Sequence, residues 1–172
     1  MTVKWTTLSL VLAIFSALPL FSWNARAQEQ AESDLLSLSI GYFDAGDNQN
    51  ALDARIEYRW GDPLVWVVKP WAGAEITSDG AIYGLGGLTA DITLNGRWTL
   101  APGIGGGLYM DGNGKDLGSV IAFRSQLEAL YALDNGQRLG IAASHISNAG
   151  IGSKNPGTEV LSLYWHLPVS WF

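Results

Sequence analysis

The stretch ALDARIEYRW, residues 51–60, alternates apolar and charged side chains from Leu52 onward. Successive side chains of a β-strand point to opposite faces, so the stretch predicts a strand with one apolar and one charged face. The apolar face carries Leu52, Ala54, Ile56, Tyr58 and Trp60, and the other carries Asp53, Arg55, Glu57 and Arg59. A fully charged row does not form the core of a soluble protein. It faces solvent, or it lines a barrel whose apolar face contacts lipid.

Eight segments with this alternation follow one another, separated by turns rich in Gly, Asn and Asp. They are residues 35–43, 51–60, 65–77, 81–94, 98–110, 117–133, 138–148 and 158–172. The sixth again sets Arg124, Gln126 and Glu128 against an apolar row. Charges of both signs can neutralise one another inside a narrow eight-stranded barrel. The pattern predicts an all-β fold, an eight-stranded antiparallel transmembrane β-barrel of the bacterial outer membrane.

The composition of the chain argues against several other classes of protein. The chain has 48% hydrophobic residues, eight Trp, 21 Gly and no Cys. Without Cys it has neither a disulfide framework nor a thiolate metal site, and no segment after residue 27 has the ~18 consecutive apolar residues of a spanning helix. An eight-stranded barrel is filled by side chains, which argues against a pore. A soluble, lipocalin-like ligand-binding barrel stays open, and it would bury the apolar row and expose the charged one.

The N-terminal residues have the plan of a secretory signal. Lys4 supplies the positive start, residues 8–20 the apolar run, and Ala25-Arg26-Ala27 an A-x-A cleavage site. We therefore predict a signal peptide at 1–27 and a single transmembrane barrel domain at 28–172. The chain is acidic, with a formal net charge of −6, and loss of Lys4 and Arg26 makes it more so. This balance argues against nucleic acid as a partner.

The last two segments place three polar residues at one end of the barrel. His145 and Ser147 share a face of the seventh segment with apolar residues, and Glu159 starts the same kind of face on the eighth. In antiparallel neighbours the three side chains meet on the lipid-facing wall, where they form a candidate Ser/His/carboxylate hydrolase site. An even strand number puts both chain termini in the periplasm and this cluster at the outer leaflet. His166 has the opposite parity and is expected inside the barrel.

The aromatic residues near the segment ends predict girdles at the membrane interfaces. They are Trp60, Trp66, Trp98, Trp165 and Trp171, and the chain ends on Phe172.

The loop that follows Ser147 is a further notable feature of the last two segments. A Gly-containing turn at 148–150 can offer the side-chain amide of Asn148 and backbone N–H groups to a developing oxyanion.

The run His145-Ile146-Ser147-Asn148-Ala149-Gly150, with Asn155-Pro156-Gly157 and Glu159 downstream, resembles the outer-membrane lipid A 3-O-deacylase family (PagL-type). The resemblance implies a barrel that hydrolyses the ester-linked 3-hydroxyacyl chain at position 3 of lipid A. It implies Ser147 as nucleophile, His145 as general base and Glu159 as the group that orients the base. It further implies that Asn148 and Gly150 contribute to the oxyanion site, that Asn155 supports the loop, and that Phe123 helps to form the acyl groove.

The expected partners are lipopolysaccharide or lipid A as substrate and the lipids of the outer membrane, with a homodimer as a candidate assembly. No cofactor and no metal is expected. A non-catalytic small barrel with a structural or adhesive role is the alternative. Adhesive barrels usually have long external loops, whereas the turns predicted at 44–50, 78–80 and 111–116 are short.

Overall fold

The computed structural model describes residues 32–169. The strands in this part of the chain are β1 (Asp34–Phe43), β2 (Ala51–Arg59), β3 (Val68–Thr77), β4 (Ile82–Ala90), β5 (Ile92–Asn95), β6 (Trp98–Met110), β7 (Ile121–Ala132), β8 (Arg138–Ser147) and β9 (Thr158–Val169). None of the described residues belongs to a helix long and apolar enough to cross a membrane. The predicted signal peptide at 1–27 and the terminal pair Trp171-Phe172 lie outside the described residues.

The strands close into a barrel. Except for β4 and β5, neighbours along the chain pair antiparallel, β1 pairs with β9, and β4 pairs with β6. β5 continues the line of β4, because the register with β6 is the same on both sides of Asp91. The described strands therefore form eight antiparallel positions around the barrel, and the predicted eight-stranded barrel is confirmed. The strand connections at 44–50, 78–81, 111–120 and 148–157 define what we call the loop end, and those at 60–67, 96–97 and 133–137 define the turn end.

One predicted segment is interrupted, and two others begin later than predicted. The segment at 81–94 is interrupted at Asp91, whose carboxylate accepts hydrogen bonds from Lys69 at 3.1 Å and Arg138 at 3.4 Å. The third strand begins at Val68, three residues after the predicted start, because Trp66 adopts a φ of 52° in the preceding turn. The strand predicted from residue 117 begins at Ile121, since Gly118, with a φ of 81°, turns the chain away from the sheet.

Burial along β2 decides which face contacts lipid. Leu52 is 70% exposed and Ile56 51% exposed, whereas Asp53 and Arg55 are each 3% exposed. The outer walls of β8 and β9 are likewise apolar, with Ile141 67% and Leu163 58% exposed. An exposed apolar wall around a buried charged interior is the arrangement of a transmembrane barrel. The soluble-barrel alternative predicted the reverse and is wrong.

The buried charges neutralise one another across the interior. Arg55 Nε lies 2.6 Å from the Asp53 carboxylate and 3.0 Å from that of Glu75. Arg59 contacts Glu57 at 3.2 Å and Glu128 at 2.9 Å. These side chains, together with Arg124, which pairs with Glu57 and lies over the Trp71 ring, fill the lumen. The mixed charge pattern predicts such neutralisation inside the barrel, although it does not specify which residues pair.

An apolar cluster, which we call the plug, closes the interior at the loop end. Most of its members lie at the loop-end termini of strands or in the loops, and they are Phe43, Ala51, Trp71, Ala81, Tyr83, Leu85, Tyr109, Leu117, Ala122, Ile146 and Val160. Ile146 and Val160 are fully buried in it. Because strand side chains alternate, burying Ile146 holds its neighbours His145 and Ser147 on the outer wall. The plug therefore positions the predicted site.

The exposed Trp residues form one girdle rather than two. Trp60 and Trp66 lie in or beside the 60–67 connection, Trp98 starts β6, and Trp165 donates to the side chain of Gln137 at 3.0 Å. All four lie at the turn end, and Trp171 lies outside the described residues. The loop end instead presents the outward aromatic residues Tyr42 and Phe123.

The interior ion pairs predict the response to loss of one cation. Arg55→Met leaves the buried carboxylate of Asp53 without a cation among the described residues, and removal of one partner of a buried pair typically costs about 3–5 kcal/mol. We expect a loss of this size in the free energy of unfolding, measured by urea titration of Trp fluorescence in lipid vesicles. The control is Arg97→Met, which removes the exposed pair with Asp134 and is expected to leave the free energy nearly unchanged. Equal losses in the two variants would contradict the account of the interior.

Candidate active site at the loop end

His145 and Glu159 lie side by side on the outer wall. The register of β8 and β9 pairs them directly, and His145 Nδ1 lies 3.1 Å from Glu159 Oε1. The side chain of His145 is 28% exposed and that of Glu159 is 52% exposed. A carboxylate at this distance favours a proton on Nδ1, which leaves Nε2 as the proton acceptor. The pair therefore has the arrangement of a base and the group that orients it.

Ser147 lies two residues beyond His145 on the same face of β8, so their Cα atoms are ~6–7 Å apart. Although it faces outward, Ser147 is only 8% exposed. Its hydroxyl makes no hydrogen bond to another described residue, so it is not held in a structural contact. Hydrogen bonds between a nucleophile and its base are often formed only when substrate is bound.

The first loop holds the start of β9. Thr158 Oγ1 donates to the buried carboxylate of Asp44 at 3.0 Å, and the N–H of Ala45 donates to the carbonyl of Glu159 at 2.9 Å. Lys115, from the third loop, pairs with Asp44 and lies 2.9 Å from Asp47. Burial disfavours the charged ammonium and so lowers the pKa of Lys115. The hydrogen bonds to Asp44 and Asp47 and the negative charges of these two residues outweigh burial, and the net effect is a raised pKa of Lys115. Loops 44–50 and 111–120 thus fix the backbone that carries Glu159.

The side chain of Asn148 ties the loop after Ser147 to its surroundings. It is fully buried, and its Nδ2 donates to the carbonyls of Leu117 and Lys154, both at 2.7 Å. Its Oδ1 accepts the N–H of Gly150 at 2.8 Å, and its own N–H donates to Asn155 Oδ1 at 3.0 Å. The donors of Asn148 and Gly150 proposed for the oxyanion are therefore engaged within the loop in this structure, and that role stays a prediction.

Ala149 lies in the turn at 148–150 from which the sequence predicts oxyanion donors, but its backbone conformation was not predicted. Its φ is 53°, a conformation that is costly for a residue with a Cβ, and such strain often marks functional sites. Its N–H has no hydrogen-bond partner among the described residues. The Nδ2 of Asn155 likewise has no partner in this part of the chain. These two donors are therefore available near Ser147, Ala149 by sequence and Asn155 through its hydrogen bond to the N–H of Asn148.

Gly157 is the point where the chain enters β9 against the imidazole. Its φ is +67°, and a Cβ built there lies 2.7 Å from His145 Cε1 and 3.2 Å from Nε2. Any side chain at this position forces the ring or the loop to move. The sequence indicates the Asn-Pro-Gly turn but not this contact, since the contact depends on the register of β8 and β9.

β7 forms the other side of the site. Its register pairs Phe123 with Ser147 and Ser125 with His145. Phe123 is 42% exposed, and its ring lies over Gly106, where an added Cβ would be 3.1 Å from Phe123 Cδ1. The predicted groove residue thus lies next to the predicted nucleophile. Ser125 was not predicted, and it places a second hydroxyl on the outer wall beside the base.

Comparison with known proteins identifies relatives of this barrel. Residues 49–168 match the model of a family described as lipid A 3-O-deacylase (PagL). A curated protein named lipid A deacylase PagL, from Pseudomonas aeruginosa, is 38% identical over 55 residues. That match spans 32% of this chain and 32% of the length of the relative.

Solved structures show the same fold. The crystal structure of the outer membrane enzyme PagL matches with a TM-score of 0.60 at 21% identity, covering 78% of this chain and 99% of that one. A de novo designed transmembrane β-barrel matches with a TM-score of 0.57 at 12% identity, covering 82% and 98%. Neisserial surface protein A matches with a TM-score of 0.56 at 11% identity, covering 79% and 96%. At these identities the likeness shows the fold alone.

The close contact at Gly157 generates a test of the site geometry. Gly157→Ala pushes on His145, the predicted base. Displacement of a group in that role by a fraction of an ångström or more is costly, so the rate of ester hydrolysis is expected to fall about tenfold or more. Activity is measured on purified, refolded protein in detergent.

The matched control is Gly80→Ala. Gly80 also has a positive φ, of +91°, but a Cβ there meets nothing within 4 Å. It carries the same backbone strain without the contact to the imidazole, and its activity is expected to stay close to that of the wild type. Equal activity losses in both variants would show that backbone strain, and not the contact with His145, is responsible.

Proposed function

The chain belongs to the lipid A 3-O-deacylase (PagL) family, and we propose that it hydrolyses the ester at position 3 of lipid A with Ser147, His145 and Glu159 as a catalytic triad. The triad is supported by one observation above all: His145 Nδ1 lies 3.1 Å from Glu159 Oε1 on the outer wall, and His145 is two residues from Ser147 on the same strand. Ionisable side chains are expensive on a lipid-facing surface and are usually functional there. A non-catalytic barrel has no use for such a cluster, so no observation favours that alternative.

The reaction follows from the roles of the three groups. The Oγ of Ser147 attacks the ester carbonyl carbon while Nε2 of His145 takes its proton, and Glu159 stabilises the imidazolium that forms. The tetrahedral intermediate collapses, and the imidazolium gives its proton to the departing sugar oxygen. Water, activated by the same imidazole, then hydrolyses the acyl-serine. The products are a free fatty acid and a sugar with a free 3-hydroxyl group.

Donors for the oxyanion come from the loop after Ser147. The N–H of Ala149 and Nδ2 of Asn155 are free among the described residues, and both lie near Ser147, Ala149 by sequence and Asn155 through its hydrogen bond to the N–H of Asn148. Asn148 holds the loop in shape through its hydrogen bonds to Leu117, Lys154 and Gly150. In this assignment Asn148 and Gly150 act by shaping the oxyanion site, and Phe123 forms one wall of the acyl groove.

The barrel lies in the bacterial outer membrane. With the termini in the periplasm, the loop end faces the outside, and the turn-end Trp girdle lies at the periplasmic interface. The triad then faces the outer leaflet, where lipopolysaccharide reaches it sideways within the membrane. A homodimer stays a prediction, and cross-linking in native membranes tests it.

The nucleophile is tested by Ser147→Ala in a Gram-negative host that lacks the activity. Lipid A from cells with the wild-type protein is expected to lose one hydroxyacyl chain, seen by mass spectrometry. Removal of a triad nucleophile lowers the rate by roughly 1000-fold or more, so the variant is expected to leave lipid A intact. The control is Ser144→Ala, which removes an inward-facing hydroxyl of the same strand and is expected to retain activity. Intact lipid A with inserted wild-type protein would contradict the proposed function.

The general base predicts a pH dependence. Protonation of His145 removes the acceptor for the Ser147 proton, so the rate is expected to fall as the assay is made acidic. The measurement is kcat/KM across a pH series in detergent, with protein integrity followed by circular dichroism. A flat profile from neutral to acidic pH, with the barrel intact, would contradict His145 as the base.

A further inference from the structure

Asp44, the first residue after β1, combines two costly features. Its φ is 57°, a left-handed conformation that is uncommon for a residue with a Cβ, although Asp adopts it more readily than most. Its side chain is fully buried, and a buried carboxylate is expensive unless it is paired and hydrogen-bonded. Backbone strain of this kind often marks functional positions, so the contacts of Asp44 indicate what it is kept for.

The carboxylate of Asp44 connects three segments at the loop end. Its Oδ1 accepts hydrogen bonds from Thr158 Oγ1, at 3.0 Å, and from Nζ of Lys115, and its Oδ2 accepts the N–H of Gln49 at 3.1 Å. The backbone ladder between β1 and β9 ends one residue before Asp44. The Asp44 side chain therefore joins β9 to the first and third loops beyond the point where the ladder stops.

The backbone next to Asp44 holds Glu159 itself. The N–H of Ala45 donates to the carbonyl of Glu159 at 2.9 Å, and Thr158, which donates to Asp44, is the residue before Glu159. The Glu159 side chain faces the other way, onto the outer wall, where its Oε1 lies 3.1 Å from Nδ1 of His145. One side-chain contact and one backbone contact thus fix the strand end from which the carboxylate reaches the imidazole.

Glu159 needs such a hold more than the other two members of the proposed triad. It is the second residue of β9, directly after the turn at Gly157, and its side chain is 52% exposed. Strand ends without further contacts fray, and a carboxylate on a frayed end would leave the imidazole. His145, in contrast, is paired within β8 to strands on both sides. The contacts made by Asp44 lie where the triad is otherwise least restrained.

We propose that Asp44 is a positioning residue for the deacylation: it holds the start of β9 so that the Glu159 carboxylate stays on Nδ1 of His145. The inference rests on the proposed function. Because Asp44 is fully buried behind the wall, it acts through Glu159 and not by touching the lipid. Its loss therefore weakens orientation of the base, which lowers kcat, and leaves KM unchanged.

The test uses purified full-length protein in detergent and the p-nitrophenyl ester of a 3-hydroxy fatty acid. Thr158→Val removes the hydroxyl that donates to Asp44, and misplacement of a reacting group by about 1 Å lowers rates about 100-fold. We expect kcat to fall about 10- to 100-fold in Thr158→Val and at least as far in Asp44→Ala, with KM unchanged in both. Thr158→Ser keeps the hydroxyl and is expected to retain a kcat close to that of the wild type.

Thr77→Val is the matched control. The Thr77 hydroxyl also donates to a carboxylate at the loop end, that of Asp79, but it lies on β3, which pairs with β2 and β4 and not with β9. The control is expected to keep the wild-type kcat. Equal losses in Thr77→Val and Thr158→Val would show that the loop end is loosened in general, and a loss in Thr158→Ser equal to that in Thr158→Val would show that the hydroxyl is not responsible. Either result overturns the inference.

Action through Glu159 is tested by adding Asp44→Ala to Glu159→Gln. A triad that lacks one member keeps roughly 1000-fold or more over water, so hydrolysis of the activated ester stays measurable. Two residues that act as one unit are not additive, and the second substitution is expected to lower the remaining kcat less than about twofold. A further loss as large as in the wild-type background, or a change in KM alone, would overturn the inference. Failure of the proposed function is distinguishable, because the wild-type protein would then leave native lipid A intact.

Discussion

The whole structure depends on the pairing of every strand in a closed ring. In hydrocarbon no water is present to satisfy backbone N–H and C=O groups, so a sheet can lie there only if it has no open edge. Pairing of β1 with β9 and of β4 with β6 closes the ring. In a closed ring, alternate side chains along each strand face the interior and the lipid. The charged row of β2 faces inward, where Arg55 and Arg59 meet carboxylates, and the apolar row faces lipid.

The candidate site places polar side chains on the otherwise apolar outer wall, and buried residues on the inner side of the wall hold them there. Ile146 and Val160 are buried in the plug, and they hold the flanking side chains of β8 and β9 on the outer wall. Asp44 connects the first loop, Lys115 and Thr158, so the start of β9 is held on a second side. A rigid backbone allows His145 and Glu159 to stay in contact while one face is open to lipid. Such preorganisation is what an acyl-transfer site requires.

Much of this arrangement was predictable from residue order because it depends on parity alone. The alternation of residues 51–60 indicated which row is buried, and the parity of His145, Ser147 and Glu159 placed them on one wall. Features set by contacts between distant segments were not predictable. The interruption at Asp91 depends on Lys69 and Arg138, and the contact between Gly157 and His145 depends on the exact turn before β9. Ser125 escaped notice because only the register of β7 and β8 makes it a neighbour of the base.

The central claim is that Ser147 is an activated nucleophile on the lipid-facing wall. Its most direct measurement is labelling of the refolded protein with a long-chain fluorophosphonate, followed by mass spectrometry of the peptides. The account predicts one adduct, on Ser147, because among the hydroxyl groups of residues 32–169 only this one has both a base and nearby oxyanion donors. An adduct on Ser125 or Ser144, or none on protein that still deacylates lipid A, would contradict it.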